Sequence, residues 1–158
     1  MRRSGLRWLW LALVVLIIDQ TSKYFILKNF SLYDSVPVFP HFNLMLAHNR
    51  GAAFSFLASA NGWQNWLLGG FALLVSLVIT IILARLRSAP LKVYFALTLI
   101  MGGALGNLLD RINYGYVIDF LDFYINNSHY PTFNLADSAI CLGAFLLMLD
   151  AIFSQKKK

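Results

Sequence analysis

Four apolar runs constrain this chain more than any other feature in it. They cover about residues 8–27, 65–84, 91–109 and 134–153. About 20 apolar residues, wound as a helix, cross the ~30 Å hydrocarbon core of a bilayer. The composition agrees, with 59% hydrophobic residues and a mean hydropathy of +0.65, against about 45–50% apolar in soluble domains. The expectation is one integral membrane domain over residues 1–158, with extracytoplasmic segments at about 28–64 and 110–133.

The net charge of +6 invites a nucleic-acid partner, but its distribution argues against one. Arg2, Arg3 and Arg7 precede the first run, Arg85, Arg87 and Lys92 separate the second from the third, and Lys156, Lys157 and Lys158 follow the fourth. Cytoplasmic loops carry this excess of Lys and Arg. Both termini are therefore expected in the cytoplasm. The basic start resembles a signal peptide, but no small-x-small cleavage site follows it, so the first run is expected to be retained. Asp150 is expected to pair with the cytoplasmic lysines. Cys141 is the single cysteine and reads as a small packing residue.

The stretches between the runs have a different grammar. Pro37 and Pro40 rule out a continuous helix there. Val36, Val38 and Phe39, then Phe42, Leu44 and Leu46, suggest short strands. Gly51 suits a turn, and Ala52 to Ala58 suits a short interfacial helix. Asn61-Gly62 is a turn signal, and Trp63 and Trp66 suit an interfacial aromatic belt. Tyr114 to Phe123 reads as an extended segment followed by a turn. Gly69, Gly70 and Ser76 in the second run, and Gly102 and Gly106 in the third, allow close helix contact. The fold class is thus a membrane all-α core of four transmembrane helices, with a small extracytoplasmic β-rich element and a short interfacial helix.

Several polar residues are left over from this topology. Asp19 and Lys23 lie at i, i+4 within the first run; an ion pair that lets the helix insert would account for both. Asn107, Asp110 and Arg111 share one face at the outer end of the third helix. Asp119 lies in an apolar stretch, and Asp137 opens the fourth run. Asn134 as N-cap and Asp137 three residues later would form a capping box. Yet separate segments bring all of these residues to one side of the bilayer, which capping alone does not explain. Two carboxyls in one poorly solvated pocket share a proton, the working state of an aspartic protease. His41, His48 and His129 lack metal-ligand spacing and no second cysteine is present, so no metal or cofactor is expected. Ser55, Ser138 and His129 lack a G-x-S-x-G elbow. Asp122, near Asp119, is read as surface.

Five segments carry a resemblance. Asp19-Gln20-Thr21-Ser22-Lys23, Asn49 to Phe56, Gly102 to Arg111, Val117-Ile118-Asp119-Phe120 and Phe133 to Ser138 resemble, in order, the motifs of the bacterial lipoprotein signal peptidases, or signal peptidase II. The resemblance implies an inner-membrane aspartyl endopeptidase. It would cleave prolipoprotein signal peptides before a diacylglyceryl-modified cysteine. Asp119 and Asp137 would be catalytic. Asn49, Asn107, Arg111 and Asn134 would line the site, and Asp19, Lys23 and Asp110 would support it. Gly51, Val117 and Ala136, inside the same motifs, join the substrate-binding or supporting set. Arg50 and Tyr116 fall at variable positions. The expected partners are prolipoproteins and membrane lipids, for a monomer with its site near the outer leaflet. A proton- or ion-coupled transporter would also use intramembrane aspartates, and a structural subunit would make both aspartates dispensable.

Overall fold

The computed structural model describes residues 4–51 and 62–155. A 3₁₀ turn, Gly5–Trp8, leads into helix α1, Leu9–Asn29. Strands β1, Ser35–Phe39, and β2, Phe42–Asn49, follow. Helices α2, Trp63–Arg85, and α3, Leu91–Tyr114, come next. The hairpin of β3, Val117–Ile125, and β4, Ser128–His129, then precedes α4, Leu135–Gln155. All four helices are long and apolar enough to cross a membrane. The interfacial helix expected at Ala52 to Ala58 lies outside the described residues.

Local chemistry marks the helix ends. Pro90 supplies extended backbone before α3, where its missing N–H costs nothing. Gly115 closes α3 at φ 76° and returns its N–H to Arg111 O at 3.1 Å, a left-handed stop that favours glycine. Gly62, at φ 94°, precedes α2. Helix α3 runs through the middle of the bundle. Its apolar window is 56% buried, against 22, 28 and 11% for the windows of α1, α2 and α4. The glycines of α3 make this possible. A Cβ on Gly102 would meet Val15 Cβ at 2.7 Å, and one on Gly103 would strike the Ala136 carbonyl. Gly69 touches Leu108, whereas Gly70 has nothing within 4 Å and faces outward. Cys141 is exposed on α4 rather than packed, because it lies on the lipid-facing side of its helix.

The strands form one antiparallel sheet in the order β1-β2-β3-β4. Asn49 pairs with Val117 and Ala47 with Asp119; a bulge between Leu44 and Ala47 then shifts the register to Leu44–Leu121 and Phe42–Phe123. Ile26, Leu46, Ile118 and Phe120 form a buried cluster that fastens the sheet to the end of α1. A second cluster, Ile79, Leu83, Tyr94 and Leu97, closes the opposite end of the bundle against Trp8. At that end Lys92 pairs with Asp150 at 2.9 Å. Arg7, Arg85 and Lys92 gather there, away from the sheet.

Candidate active site

Helices α1, α3 and α4 and strands β2 and β3 bring side chains into one region. Helix α1 contributes Asp19 and Lys23, which are 0% and 1% exposed. Lys23 Nζ lies 2.8 Å from Asp19, 2.7 Å from Asp110, and donates to Asn107 Oδ1 at 3.0 Å. An ammonium has three donors, and all three are used. A charge buried this deeply persists only when it is paired and hydrogen-bonded. The i, i+4 ion pair therefore exists, but it extends across the bundle to α3.

The two carboxylates around Lys23 hold backbone as well. Asp19 Oδ1 accepts from the Ala136 N–H at 2.9 Å, and Asp110 Oδ2 from the Ile118 N–H at 3.1 Å. Ala136, fully buried, directly precedes Asp137; Ile118, 1% exposed, directly precedes Asp119. Gln20 joins the pair, donating to Asp110 at 2.9 Å and to Asp19 and the Gly106 carbonyl at 3.2 Å each. Gln20 lies within the first motif, but the sequence alone assigns it no role. Its signal was its position beside Asp19, one step toward α3. Gly106 leaves room for the Asp19 carboxylate, which a Cβ there would strike.

Asn107 and Asn134 carry this network to the two aspartates. Lys23 is a donor only, so the Asn107 carbonyl faces it and the Asn107 amide faces Asp137, donating to Oδ1 at 2.7 Å. Asn134 Nδ2 donates to Asp119 Oδ1 at 2.7 Å, and to Asn107 Oδ1 and the Ile118 carbonyl at 3.2 Å each. Asn134 Oδ1 accepts the Asp137 N–H at 2.9 Å, and Asp137 Oδ2 accepts the Asn134 N–H at 3.4 Å. The capping box is therefore real, and the same asparagine also binds Asp119. The structural and chemical readings of Asn134 are not alternatives.

Asn49 completes the Asp119 environment, donating to Oδ2 at 3.0 Å, while its Oδ1 accepts the Gly51 N–H at 2.9 Å. Val117, 2% exposed, backs Asn49 through the strand register. Arg111 donates to the Gly51 carbonyl at 3.2 Å and the Asn107 carbonyl at 3.3 Å. Its guanidinium also interacts electrostatically with Asp137, Asp110 and Asp119. All twelve residues expected from the sequence thus belong to one connected region.

Asp119 is 2% exposed. Burial, followed by the nearby charge of Asp137, raises its pKa to about 7, against the opposing hydrogen bonds from Asn49 and Asn134. His48 points away from this site by strand alternation and stacks on Tyr116 with ring centroids 3.8 Å apart. Burial and the Arg50 charge hold it below the ordinary imidazole range. Among the described residues, no three His, Cys, Asp or Glu side chains group as a metal site.

One expectation is corrected. Asp122 is not a surface residue but fully buried. Asn43 donates to it at 2.8 Å, and His129 Nδ1 lies 2.8 Å from its other oxygen. Strand alternation turns it to the sheet face opposite Asp119. It is therefore a hydrogen-bonded node of the sheet and not a third member of the carboxylate pair.

Comparison with known proteins bears on this geometry. The family model for signal peptidase (SPase) II matches residues 11–153. The lipoprotein signal peptidase of Shigella boydii serotype 4 is 52% identical over 155 residues, covering 98% of this chain and 94% of the relative. That of an Enterobacter species is 55% identical over 147 residues, covering 93% and 89%. A solved bacterial membrane enzyme structure superposes with a TM-score of 0.86 at 29% identity, covering 96% of this chain and 91% of that one. A second superposes at 0.81 with 28% identity, covering 96% and 97%. These matches set the transporter reading aside. With a family match over nearly the whole of its length and relatives more than half identical to it, the chain belongs to the signal peptidase II family.

Proposed function

We propose that this protein cleaves the signal peptide from diacylglyceryl-modified prolipoproteins, with Asp119 and Asp137 as its catalytic dyad. The observation that carries the reading is the bridge between the two carboxylates. Asn134 donates to Asp119 Oδ1 through its side-chain amide and to Asp137 Oδ2 through its backbone N–H, so one residue holds both carboxylates. Asp119, with its pKa near 7, holds the shared proton. Asp137 lies in the first turn of α4, where the helix N-terminus favours negative charge, and acts as base.

Asp137 takes a proton from water as the oxygen attacks the scissile carbonyl carbon, and Asp119 gives its proton to the carbonyl oxygen. The resulting gem-diol collapses: Asp119 recovers a proton from one hydroxyl, the C–N bond breaks, and Asp137 protonates the leaving nitrogen. The dyad returns to its starting state. Arg111 Nε is buried and has no hydrogen-bond partner among the described residues, a donor suited to a substrate carbonyl, since buried donors are seldom left unpaired. Asn49 and Gly51 would flank the same backbone.

The basic ends at Arg7, Arg85 and Lys92 lie opposite the site. This supports cytoplasmic termini, a site near the outer leaflet of the bacterial inner membrane, and lipid-anchored substrates that approach laterally. Each methylene of the diacylglyceryl group buried in lipid contributes about 0.8 kcal/mol, which holds the scissile bond at one depth. A monomer suffices, because every site residue comes from one chain. The test is purified protein incubated with one prolipoprotein, with and without its diacylglyceryl group, while following signal peptide release. Cleavage of the lipidated form alone is expected. Equal rates would refute lipid recognition, and no cleavage of either would refute the activity.

A further inference from the structure

Helix α1 and the sheet do not meet flush. A groove of about 690 Å³ lies between them, lined by Ile17, Ile18 and Phe25 of α1, Leu44 of β2 and Phe120 of β3. Its volume falls within the ~300–1,000 Å³ usual for small-molecule sites. Small side chains leave this space: Thr21 and Ser22 stand between Ile18 and Phe25 on α1 and also line the groove. Ser22 Oγ donates to the Asp19 carbonyl at 2.7 Å, so its hydroxyl is satisfied within the helix and the lining stays apolar.

The floor and the walls of the groove differ. Ile26 and Phe120 are buried and form the floor, as part of the cluster that fastens the sheet to α1. Ile17, Ile18 and Phe25 are exposed on membrane-crossing α1, so the groove opens sideways onto hydrocarbon. Water finds no set of polar partners in such a lining. A chain of methylenes does fit, because it supplies the dispersion contacts that an open apolar groove lacks.

A cation marks where such a chain begins. Ile17, Thr21, Phe25 and Lys28 follow one another along α1 at steps of four, four and three residues, which places them on one stripe of the helix. From Ile17 to Phe25 the groove covers about 12 Å of that stripe, and Lys28 lies less than one turn beyond it. Lys28 is exposed, and among the described residues it makes no ion pair. Lys23, by contrast, is committed to Asp19 and Asp110. The stem of an exposed lysine runs along apolar surface while its ammonium reaches the polar boundary.

We propose that the groove and Lys28 form a site for one anionic phospholipid, with an acyl chain along Ile17, Ile18, Phe25 and Phe120 and the phosphate against the Lys28 ammonium. An ammonium–phosphate contact is charge-assisted and favours a lipid whose headgroup brings no cation of its own. The site is separate from the carboxylate pair, because Phe120 projects from the face of β3 opposite Asp119. It acts on the same strand, however. The Phe120 N–H donates to the Phe133 carbonyl at 2.9 Å, and Phe133 directly precedes Asn134, which holds Asp119. An occupied groove therefore supports the segments that position Asp119, and a lipid that binds only the folded chain stabilises it.

Native mass spectrometry of the full chain tests this, after release from micelles holding dioleoylphosphatidylglycerol, dioleoylphosphatidylcholine or dioleoylglycerol. The parent protein is expected to retain one phosphatidylglycerol several-fold more often than either other lipid. Lys28→Gln removes the phosphate partner and Thr21→Trp fills the groove; each is expected to lower that retention several-fold. Arg87→Gln removes the same charge at the opposite end of the bundle and is expected to change nothing. Thermal unfolding gives a second reading: phosphatidylglycerol is expected to raise the midpoint of the parent more than that of Lys28→Gln. Equal loss in Arg87→Gln would show unspecific attraction to charge and overturn the proposal. Full retention by Thr21→Trp would place the lipid elsewhere, with the same consequence. Equal retention of dioleoylglycerol would show a site for a neutral diacylglyceryl group, such as that of a substrate, and would refute the phospholipid. Both positions are exposed, and Lys28→Gln carries the test if Thr21→Trp does not fold.

Discussion

Asp110 Oδ2 accepts the backbone N–H of Ile118 at 3.1 Å, so a carboxylate on a membrane helix holds the strand residue just before Asp119. Asp19 does the same for Ala136, just before Asp137. Lys23 sits between these two holders, so the backbone before both aspartates of the proposed dyad is held by one buried ion triad.

Replacing the dyad separates chemistry from folding. Asp119→Asn and Asp137→Asn are each expected to abolish cleavage while membrane insertion and detergent extraction stay normal. Asp122→Asn is expected to keep cleavage but lose about 1–3 kcal/mol of stability, because a buried hydrogen bond is left unmade. Cleavage assays paired with thermal unfolding distinguish the two classes. Substantial turnover in either dyad variant would remove that residue from the mechanism.

Lys23→Met leaves Asp19 and Asp110 buried without their ammonium. Removing one partner from such a pair costs about 3–5 kcal/mol. A large drop in unfolding temperature is expected, with lost turnover in whatever protein stays folded, because Asn107 loses the donor that orients it. A variant as stable and active as the parent would show the triad to be dispensable.

The pH profile follows from Asp119. Its pKa is raised from 3.8 to about 7, so the folded protein keeps the proton up to near neutral pH and loses it above. The favourable protonated state is complete below the ordinary carboxylate value and disappears as pH rises through 7. The rate of kcat/KM is expected to fall on the alkaline side with a midpoint near 7. A flat profile to pH 9 would mean that the proton resides elsewhere.

Two glycines predict opposite outcomes. Gly106→Ala would drive a methyl into the Asp19 carboxylate and to 3.4 Å from Ala136 Cβ, so loss of activity and stability is expected. Gly70→Ala meets nothing within 4 Å and gains about 0.5–1 kcal/mol from helix propensity. Thermal unfolding of both variants checks the contrast.

Topology is checked by cysteine labelling from the periplasmic side. A cysteine at His129 is expected to react and one at Ser88 to be protected. The reverse pattern would invert the site and contradict the substrate assignment.

The membrane helices, the strands and the capping box were all legible locally, because each is written in neighbouring residues. Runs near 20 apolar residues, paired prolines, and Asn134 three positions before Asp137 depend on nothing distant. The Asp19–Lys23 pair was equally plain at one helical turn. Its real environment was not, since Asp110 and Ala136 lie 91 and 117 positions along the chain from Asp19. Asp122 misled for the same reason: a charged residue three positions from another reads as surface until Asn43, 79 positions away, is seen beside it. Gln20 had no assigned role because a carboxamide's partners are invisible without the facing helix.

The sequence by itself determined the membrane class, the four spans, the aspartates and the family resemblance, because hydropathy, charge and motif spacing are properties of the chain before it folds. Only the tertiary structure decided which acceptor each donor finds. Lys23 has three donors to place, and a buried donor must be satisfied wherever the packing puts an acceptor. That requirement is met across helices, through close approaches that Gly102, Gly103 and Gly106 permit. It also decided that Asp119 turns toward Asn49 and Asn134 while Ile118 and Phe120, on the opposite face of β3, pack against Ile26 of α1. Which way a strand face points depends on what packs beside it, and alternation alone does not contain that direction.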